Sequence, residues 1–340
     1  MHFWNRTVYN LRGENRMNTQ RISGIAVSLL VAVAAWGQGQ ALAQNYPSKP
    51  VSFIVPYGPG TGNDIIARIV SNKVGENWSQ PIVVENRSGA AGAIGTELAA
   101  KAQPDGHTIL IASTSQIINP FISKVRYDLL RDFTPVVVPG TLPYLLAVPK
   151  ASPATSIRDL VAQAKAMPGK FNYAGTFGSV SHFMGEMLKT AGGIDIALIT
   201  YKGTPDAIAD VIGNRVQIWF TTMATGTPLA KADKVKVLAV AGKKRAAVLP
   251  DVPTMNEAGF PTLDVSATFY ILAPAATPKP VIAILNREMV KALGAGDVKD
   301  KLTAAGVELN STTPEEASAL LKTQVAGWGK VVKESGVEMK

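Results

Sequence analysis

The side chains that most often do chemistry are few in this sequence, and their spacing forms no catalytic set. Histidine occurs only at His2, His107 and His182, and cysteine not at all. Neither the zinc-protease pattern H-E-x-x-H nor the nucleophile elbow G-x-S-x-G is present. Ser181 and His182 are neighbours in a stretch with helical character, which turns their side chains to different faces. They therefore do not serve as nucleophile and base. The lack of cysteine excludes disulfides, thiolate metal sites, a thiol nucleophile and a lipid-bearing cysteine. No catalytic residue and no metal site is expected.

What the chain offers instead is a series of turns rich in glycine, serine and threonine. Tyr57-Gly58-Pro59-Gly60-Thr61-Gly62-Asn63-Asp64 joins an apolar run to a helical stretch. Glycines let the backbone approach a ligand closely, and a helix start presents unpaired N–H groups with partial positive charge. Together these make an anion site. The plainer reading is a tight turn with Asn63 or Asp64 as the helix N-cap. Asp64 suits the capping role better than a ligand contact.

Three further turns have the same character. Ser113-Thr114-Ser115 follows a third apolar run, Thr176-Phe177-Gly178-Ser179-Val180-Ser181 stands between a strand and a helix, and Thr204-Pro205-Asp206 opens another helix. Thr221 ends a further strand. In α/β sheets ligands lie beyond the carboxyl ends of strands, where these residues sit. The expected ligand-binding set is Tyr57, Gly60, Thr61, Gly62, Asp64, Ser113, Thr114, Ser115, Thr176, Phe177, Gly178, Ser179, Ser181, Thr204, Asp206 and Thr221, with Phe177 as an aromatic wall. These loops are poor in Lys and Arg, so neutral hydroxyls and backbone N–H groups would hold an anion. Lys202 reads as a solvated loop lysine, and Arg87 as a pin between its loop and an acid such as Asp105. A dinucleotide site is disfavoured, although Glu85 ends the second strand where a ribose-binding acid would sit. The glycines are spaced G-x-G-x-G rather than G-x-G-x-x-G, and Asp64 would face a pyrophosphate. No cofactor is expected.

The elements that must position these turns alternate. Val51–Pro56, Pro81–Glu85 and His107–Ala112 read as strands; Asp64–Val74 and Gly92–Ala102 read as helices between them. This rhythm predicts a parallel sheet covered on both faces. A second unit follows, with strands at Leu142–Pro149, Asn172–Ala174, Ile196–Tyr201, Val216–Thr221 and Lys236–Val240. Its helices are Ser156–Met167, Val180–Ala191 and Pro205–Gly213. Ser266–Ala273 reads as a return strand, and Pro278–Leu293 and Pro314–Lys333 as helices packing back on the first unit. The expected fold is α/β with two lobes, each a mostly parallel sheet with flanking helices, joined by two crossings that allow closure around a ligand. Lobe one is 44–143 plus 268–340 and lobe two is 144–267, with hinges near Gly140–Leu145 and Asp264–Ile271.

Length and composition agree with two domains: 340 residues, 46% apolar and 17% charged. Residues 1–43 read as a secretory signal peptide, in which Arg21 precedes the apolar run Ile22–Trp36 and Ala41-Leu42-Ala43 closes it. The run is short for a membrane span. Met17 is a plausible true start. Cleavage after Ala43 removes Arg6, Arg12, Arg16, Arg21 and Glu14, taking the formal charge from +9 to +6. A periplasmic protein, not embedded in the membrane, is expected. Lys243-Lys244-Arg245 is one short basic run without interleaved aromatics, so no nucleic-acid partner is expected.

Several segments, taken in order, resemble the Bug family, the substrate-binding proteins of tripartite tricarboxylate transporters. They are Tyr46-Pro47-Ser48-Lys49-Pro50 with the strand and glycine turn to Asp64, and Glu85-Asn86-Arg87-Ser88-Gly89-Ala90-Ala91-Gly92-Ala93-Ile94-Gly95. Pro104-Asp105-Gly106-His107-Thr108 and Tyr201-Lys202-Gly203-Thr204-Pro205 continue the likeness. It closes with Leu249-Pro250-Asp251-Val252-Pro253-Thr254, Glu257-Ala258-Gly259 and Leu272-Ala273-Pro274. The resemblance implies a two-lobed periplasmic binding protein of the Venus-flytrap kind, a monomer. It would capture a small organic carboxylate without chemistry and pass it to membrane permease subunits. The family has a second glycine where this chain has Thr61, and a β-branched residue tolerates positive φ poorly, so the turn is expected to differ. A sensor module presenting its ligand to a receptor kinase is the alternative; a secreted α/β enzyme is a third reading without a catalytic constellation to support it.

Overall fold

Val51–Val55 (β1) is buried along nearly its whole length because helices cover both faces of its sheet. The computed structural model that shows this describes residues 46–201 and 203–335. β1 pairs in parallel with Ile82–Asn86 (β2) on one side and Thr108–Ser113 (β3) on the other. The next long strand, Phe133–Pro149 (β4), is shared between two sheets. Its first part, through Pro143, pairs antiparallel with Ser266–Pro274 (β9), which in turn pairs antiparallel with β3. The first sheet therefore runs β2-β1-β3-β9-β4.

From Tyr144 onward β4 changes partners. It pairs antiparallel with Ile218–Thr222 (β7) and Val235–Val240 (β8). Phe171–Gly175 (β5) lies parallel between β7 and Ile196–Thr200 (β6). The second sheet is thus β8-β4-β7-β5-β6. Along each of these two paths one strand runs against the others and comes over from the other lobe's side of the chain: β9 in the first and β4 in the second. At the switch the Tyr144 N–H donates to Val265 O at 3.1 Å, so the outgoing and returning segments are tied together.

The sequence pattern starts this strand at Leu142, nine residues late, because Pro135, Pro139 and Gly140 interrupt the apolar run. The structure absorbs them with register shifts between Pro135 and Val137 and between Val137 and Gly140. Gly140 has a separate reason: a Cβ there would lie 2.4 Å from Glu308 O, where the short strand Glu308–Leu309 (β10) crosses β4.

Gly62–Gly75 (α1), Ala93–Ala100 (α2), Thr114–Ile122 (α3), Lys279–Gly294 (α8), Gly296–Ala304 (α9) and Pro314–Ser335 (α10) belong with the first sheet. Ile157–Ala166 (α4), Val180–Gly192 (α5), Thr204–Ile212 (α6) and Met223–Lys231 (α7) belong with the second. The core residues Phe53, Ile109, Leu110, Ile111, Tyr173, Phe220 and Phe269 are fully buried or nearly so. Each such side chain contributes about 1.5–3 kcal/mol relative to exposure. Helix α3 holds Pro120, which has no N–H to give to the carbonyl of Gln116 one turn back. The Tyr127 hydroxyl donates to Gln116 O instead, at 3.0 Å. The lobes touch at the edge of α10, where Trp328 meets Phe183 of α5 edge-on with ring centres 5.8 Å apart. No helix among the described residues is long and apolar enough to cross a membrane. The signal-peptide reading of 1–43 and the Lys202 reading both fall outside the described residues.

Candidate functional site

A cavity of about 130 Å³ lies between the two lobes, at the carboxyl ends of β1, β3, β5, β6 and β7. Five helices begin on it. Thr61, Gly62 and Asn63 bring the start of α1, Ser113 and Ser115 that of α3, Ser179 and Ser181 that of α5. Gly203 and Thr204 bring α6, and Thr222 and Thr225 bring α7. Each helix start carries partial positive charge, worth ~0.3–1 kcal/mol to a nearby anion and up to ~2 kcal/mol when partly buried. No Asp, Glu, Lys, Arg or His is among the described residues lining the cavity. Its remaining wall is aromatic, with Tyr57, Tyr144, Tyr201, Trp219 and Phe269 contributing.

The first turn is built around Thr61. Its backbone is extended, with φ −79° and ψ 162°, so the β-branch carries no strain. Thr61 is itself the N-cap of α1, in place of Asn63 or Asp64: Oγ1 accepts from Asp64 N at 3.4 Å and donates to Gly58 O at 3.0 Å. Asn63 Nδ2 donates to Ile111 O at 3.0 Å and pins the turn to β3. The Asp64 carboxylate is buried and turned away from the cavity. It accepts from Gly60 N at 3.0 Å, Arg68 Nε at 3.0 Å and Asn86 Nδ2 at 2.9 Å. Burial pushes its pKa up, but these bonds from Arg68, Gly60 and Asn86 outweigh it and hold the carboxyl below its ordinary value.

At the second turn Gln116 Oε1 accepts from both Ser113 N, at 2.8 Å, and Ser113 Oγ, at 3.0 Å. Gln116 Nε2 then donates to Tyr57 Oη at 3.0 Å, and Tyr57 Oη donates to Ala91 O at 2.9 Å. Burial pushes the Tyr57 phenol up to about 12, so it stays a neutral donor. Burial likewise pushes Tyr144 well above its ordinary value. Thr114 Oγ1 is used inside the lobe, accepting from Thr268 N at 2.9 Å. Ser115 reaches across the cleft, where its Oγ accepts from Val180 N at 3.2 Å.

In lobe two Ser179 Oγ donates to Thr176 O at 2.7 Å and lies 2.8 Å from Ser181 Oγ. Thr176 Oγ1 donates to Tyr201 O at 3.3 Å, and the Tyr201 hydroxyl donates to Asp210 at 2.6 Å. Burial and the Asp210 carboxylate push the Tyr201 phenol up to about 12. Thr225 Oγ1 donates to Gly60 O at 3.2 Å, a further contact between the lobes. The hydroxyls of Thr204 and Thr221 line the cavity and have no partner among the described residues, so both are available to a ligand.

The structure thus brings Tyr57, Thr61, Gly62, Ser113, Ser115, Thr176, Ser179, Ser181, Thr204 and Thr221 to one cavity. Gly60, Asp64, Thr114, Gly178 and Phe177 stand behind or beside it, and Asp206 is exposed on α6. Phe177 stacks on His182 with ring centres 4.8 Å apart, and Gly178 N donates to His182 Nδ1 at 3.3 Å. His182 therefore serves the turn. Arg87 is paired with Glu85, Nε to Oε2 at 3.2 Å, rather than with Asp105, whose partner is Lys49 at 2.9 Å. The sequence reading missed Asn63, Tyr144, Thr225 and Phe269 as lining residues. Tyr144 and Phe269 sit on the crossing strands, where the facing direction depends on register. Thr225 lies in α7, whose Gly226 and Pro228 hide the helical period.

Comparison with known proteins agrees with this geometry. The family model of the tripartite tricarboxylate transporter family receptor (TctC) matches residues 66–337. Protein BugT of Bordetella pertussis is 31% identical over 328 residues, 95% of this chain and 100% of BugT. The solved structure of the periplasmic binding protein BugD is 32% identical with a TM-score of 0.83, over 87% of this chain and 100% of BugD. An R. palustris protein solved with adipate is 31% identical with a TM-score of 0.83, covering 87% of this chain and 100% of the other. MatC from Rhodopseudomonas palustris, solved with bound malate, is 29% identical with a TM-score of 0.80, covering 84% of this chain and 100% of MatC. The fold is that of the two-lobed periplasmic binding proteins, and the chain belongs to the tripartite tricarboxylate transporter receptors, the Bug proteins among them.

Proposed function

We propose that this protein is an exported receptor that captures a small organic carboxylate between its lobes, without chemistry, and delivers it to membrane permease subunits. The observation that carries the reading is the convergence of five helix N-termini on a cavity whose lining holds no ionised side chain among the described residues. A carboxylate is the ligand such a site suits: its charge is met by N–H dipoles and by the free hydroxyls of Thr204 and Thr221. A buried arginine would need its own partner whenever the site is empty, and neutral donors do not. The relatives with adipate and malate support a carboxylate here.

Residues 44–143 with 268–340 form one lobe in this reading and 144–267 the other, hinged where β4 changes partners at Pro143 and Tyr144. Residues 1–43 direct export to the periplasm and are removed after Ala43. The test is a thermal-shift screen of the mature protein over mono-, di- and tricarboxylates. A ligand present at ~100 times its dissociation constant adds ~2.7 kcal/mol, a shift of several degrees. A shift confined to one or a few carboxylates is the expected result; no shift with any of them would contradict the reading.

A further inference from the structure

We propose that the cleft is bipartite, and that an outer chamber takes the apolar body of an elongated organic acid whose carboxylate lies in the inner cavity. This rests on the carboxylate-receptor reading above and adds the length and character of the ligand. The outer chamber, about 500 Å³, is lined on the first lobe by Ala90, Ala91 and Val125 and on the second by Phe177 and Thr200. Tyr57, Thr176 and Tyr201 line both spaces, so the two chambers adjoin along these residues.

The walls of the outer chamber are built rather than incidental. Ala90 and Ala91 have φ of 46° and 51°, the left-handed region that alanine adopts only under strain. Three side chains hold them there. Asn119 Nδ2 donates to Ala90 O at 3.2 Å, while Gln116 Nε2 at 3.3 Å and Tyr57 Oη at 2.9 Å both donate to Ala91 O. The same Gln116 and Tyr57 organise the inner cavity, so one hydrogen-bond network shapes both chambers. On the opposite wall the Phe177 ring is fixed by His182. Asn119, Ser123 and Lys124, from the end of α3 and the loop after it, and Ser88, Thr176 and Thr200 elsewhere on the rim add polar groups to the outer chamber.

These surfaces sort ligands by their middle. A short diacid fills only the inner cavity. A longer one lays methylenes against Ala90, Ala91, Val125 and Phe177, and each methylene buried raises affinity by up to about fourfold. A hydroxylated chain of the same length loses this gain where its hydroxyls leave water to lie against Ala90, Ala91, Val125 and Phe177. The class selected is an elongated acid with a hydrocarbon spacer.

Titration calorimetry with malonate, adipate and sebacate on the parent protein and on Thr200→Trp tests this. Thr200 is exposed on β6, so the tryptophan fills the outer chamber without a folding cost. In the parent, affinity rises along the series by tenfold or more. In Thr200→Trp the rise disappears while malonate binds as before. Phe177→Ala also flattens the series. Equal or falling affinity along the series in the parent overturns the proposal, as does a rise that survives Thr200→Trp. If malonate binds and the longer acids do not, the outer chamber is wrong and the receptor reading stands. If none of the acids, nor any other carboxylate, binds the parent, both are overturned.

Discussion

In the proposed function, Thr221 and Thr204 are the side chains that separate recognition from architecture. Their hydroxyls face the cavity unpaired, whereas Ser113 and Ser179 spend theirs on Gln116 and on Thr176 O. Replacing Thr221 by valine keeps the shape and removes one donor, which should weaken carboxylate binding by ~1–3 kcal/mol, roughly tenfold to a hundredfold. Titration calorimetry measures it, and a melting temperature within a degree or so of the parent's shows that the lobe is intact. Asp64 acts on stability instead. Its folded pKa lies below that of the unfolded chain, so the stabilisation it provides is complete above the unfolded value of ~3.9 and is lost as pH falls through the folded one. Asp64→Asn should lower stability by ~1–3 kcal/mol at neutral pH, because the amide keeps one acceptor oxygen of two and no charge for the N–H of Gly60 and the groups of Arg68 and Asn86. It should also flatten the acid limb of the stability curve below about pH 4, read by urea unfolding at several pH values.

At the scale of elements, the start of α5 joins the turn at 176–181 to a contact between the lobes. Gly178 has φ +84°, and a Cβ there would lie 3.0 Å from Asn119 Oδ1 and 3.4 Å from Ala91 Cβ on the other lobe. Gly178→Ala should therefore strain the turn by about 1–2 kcal/mol and wedge the lobes apart. The expected reading is weaker binding of every carboxylate, short or long, unlike the length-selective effect of Thr200→Trp. How far these elements were legible in the sequence follows from the same local chemistry. Strand ends and Gly/Ser/Thr turns stand out because hydroxyls and glycines cluster where a strand stops and a helix begins, which is why the turns that bring Thr61, Ser115, Ser179 and Thr221 to the cavity are legible. The start of β4 was hidden by Pro135, Pro139 and Gly140, α3 by Pro120, and α7 by Gly226 and Pro228. In each case tertiary contacts supply what the local pattern lacks: bulges in β4, and the Tyr127 hydroxyl on the carbonyl that Pro120 cannot serve. The placing of Phe177 beside the inner cavity rather than in it depended on the His182 stack, which no spacing announces.

For the whole molecule, one cavity is lined from both lobes. Ser115 with Val180 N and Thr225 with Gly60 O close the cleft from its two sides, and β4 and the segment entering β9 connect the lobes behind it. In the proposed function a ligand that bridges helix starts from both lobes favours the arrangement in which α1 and α3 face α5, α6 and α7 across one cavity. Micromolar to sub-micromolar affinity corresponds to ~−8 to −10 kcal/mol. A handful of charge-assisted hydrogen bonds at ~1.5–3 kcal/mol each, less the cost of closure and ordering, is enough to supply it. The central claim is that helix dipoles and neutral donors recognise the charge itself. The most direct test is to titrate the carboxylate giving the largest thermal shift beside its neutral amide, which has the same shape and no charge. The account predicts that the acid binds at micromolar concentration or tighter and the amide at least about a hundredfold more weakly. Equal affinity for acid and amide would contradict it, because the five helix starts would then not be reading charge.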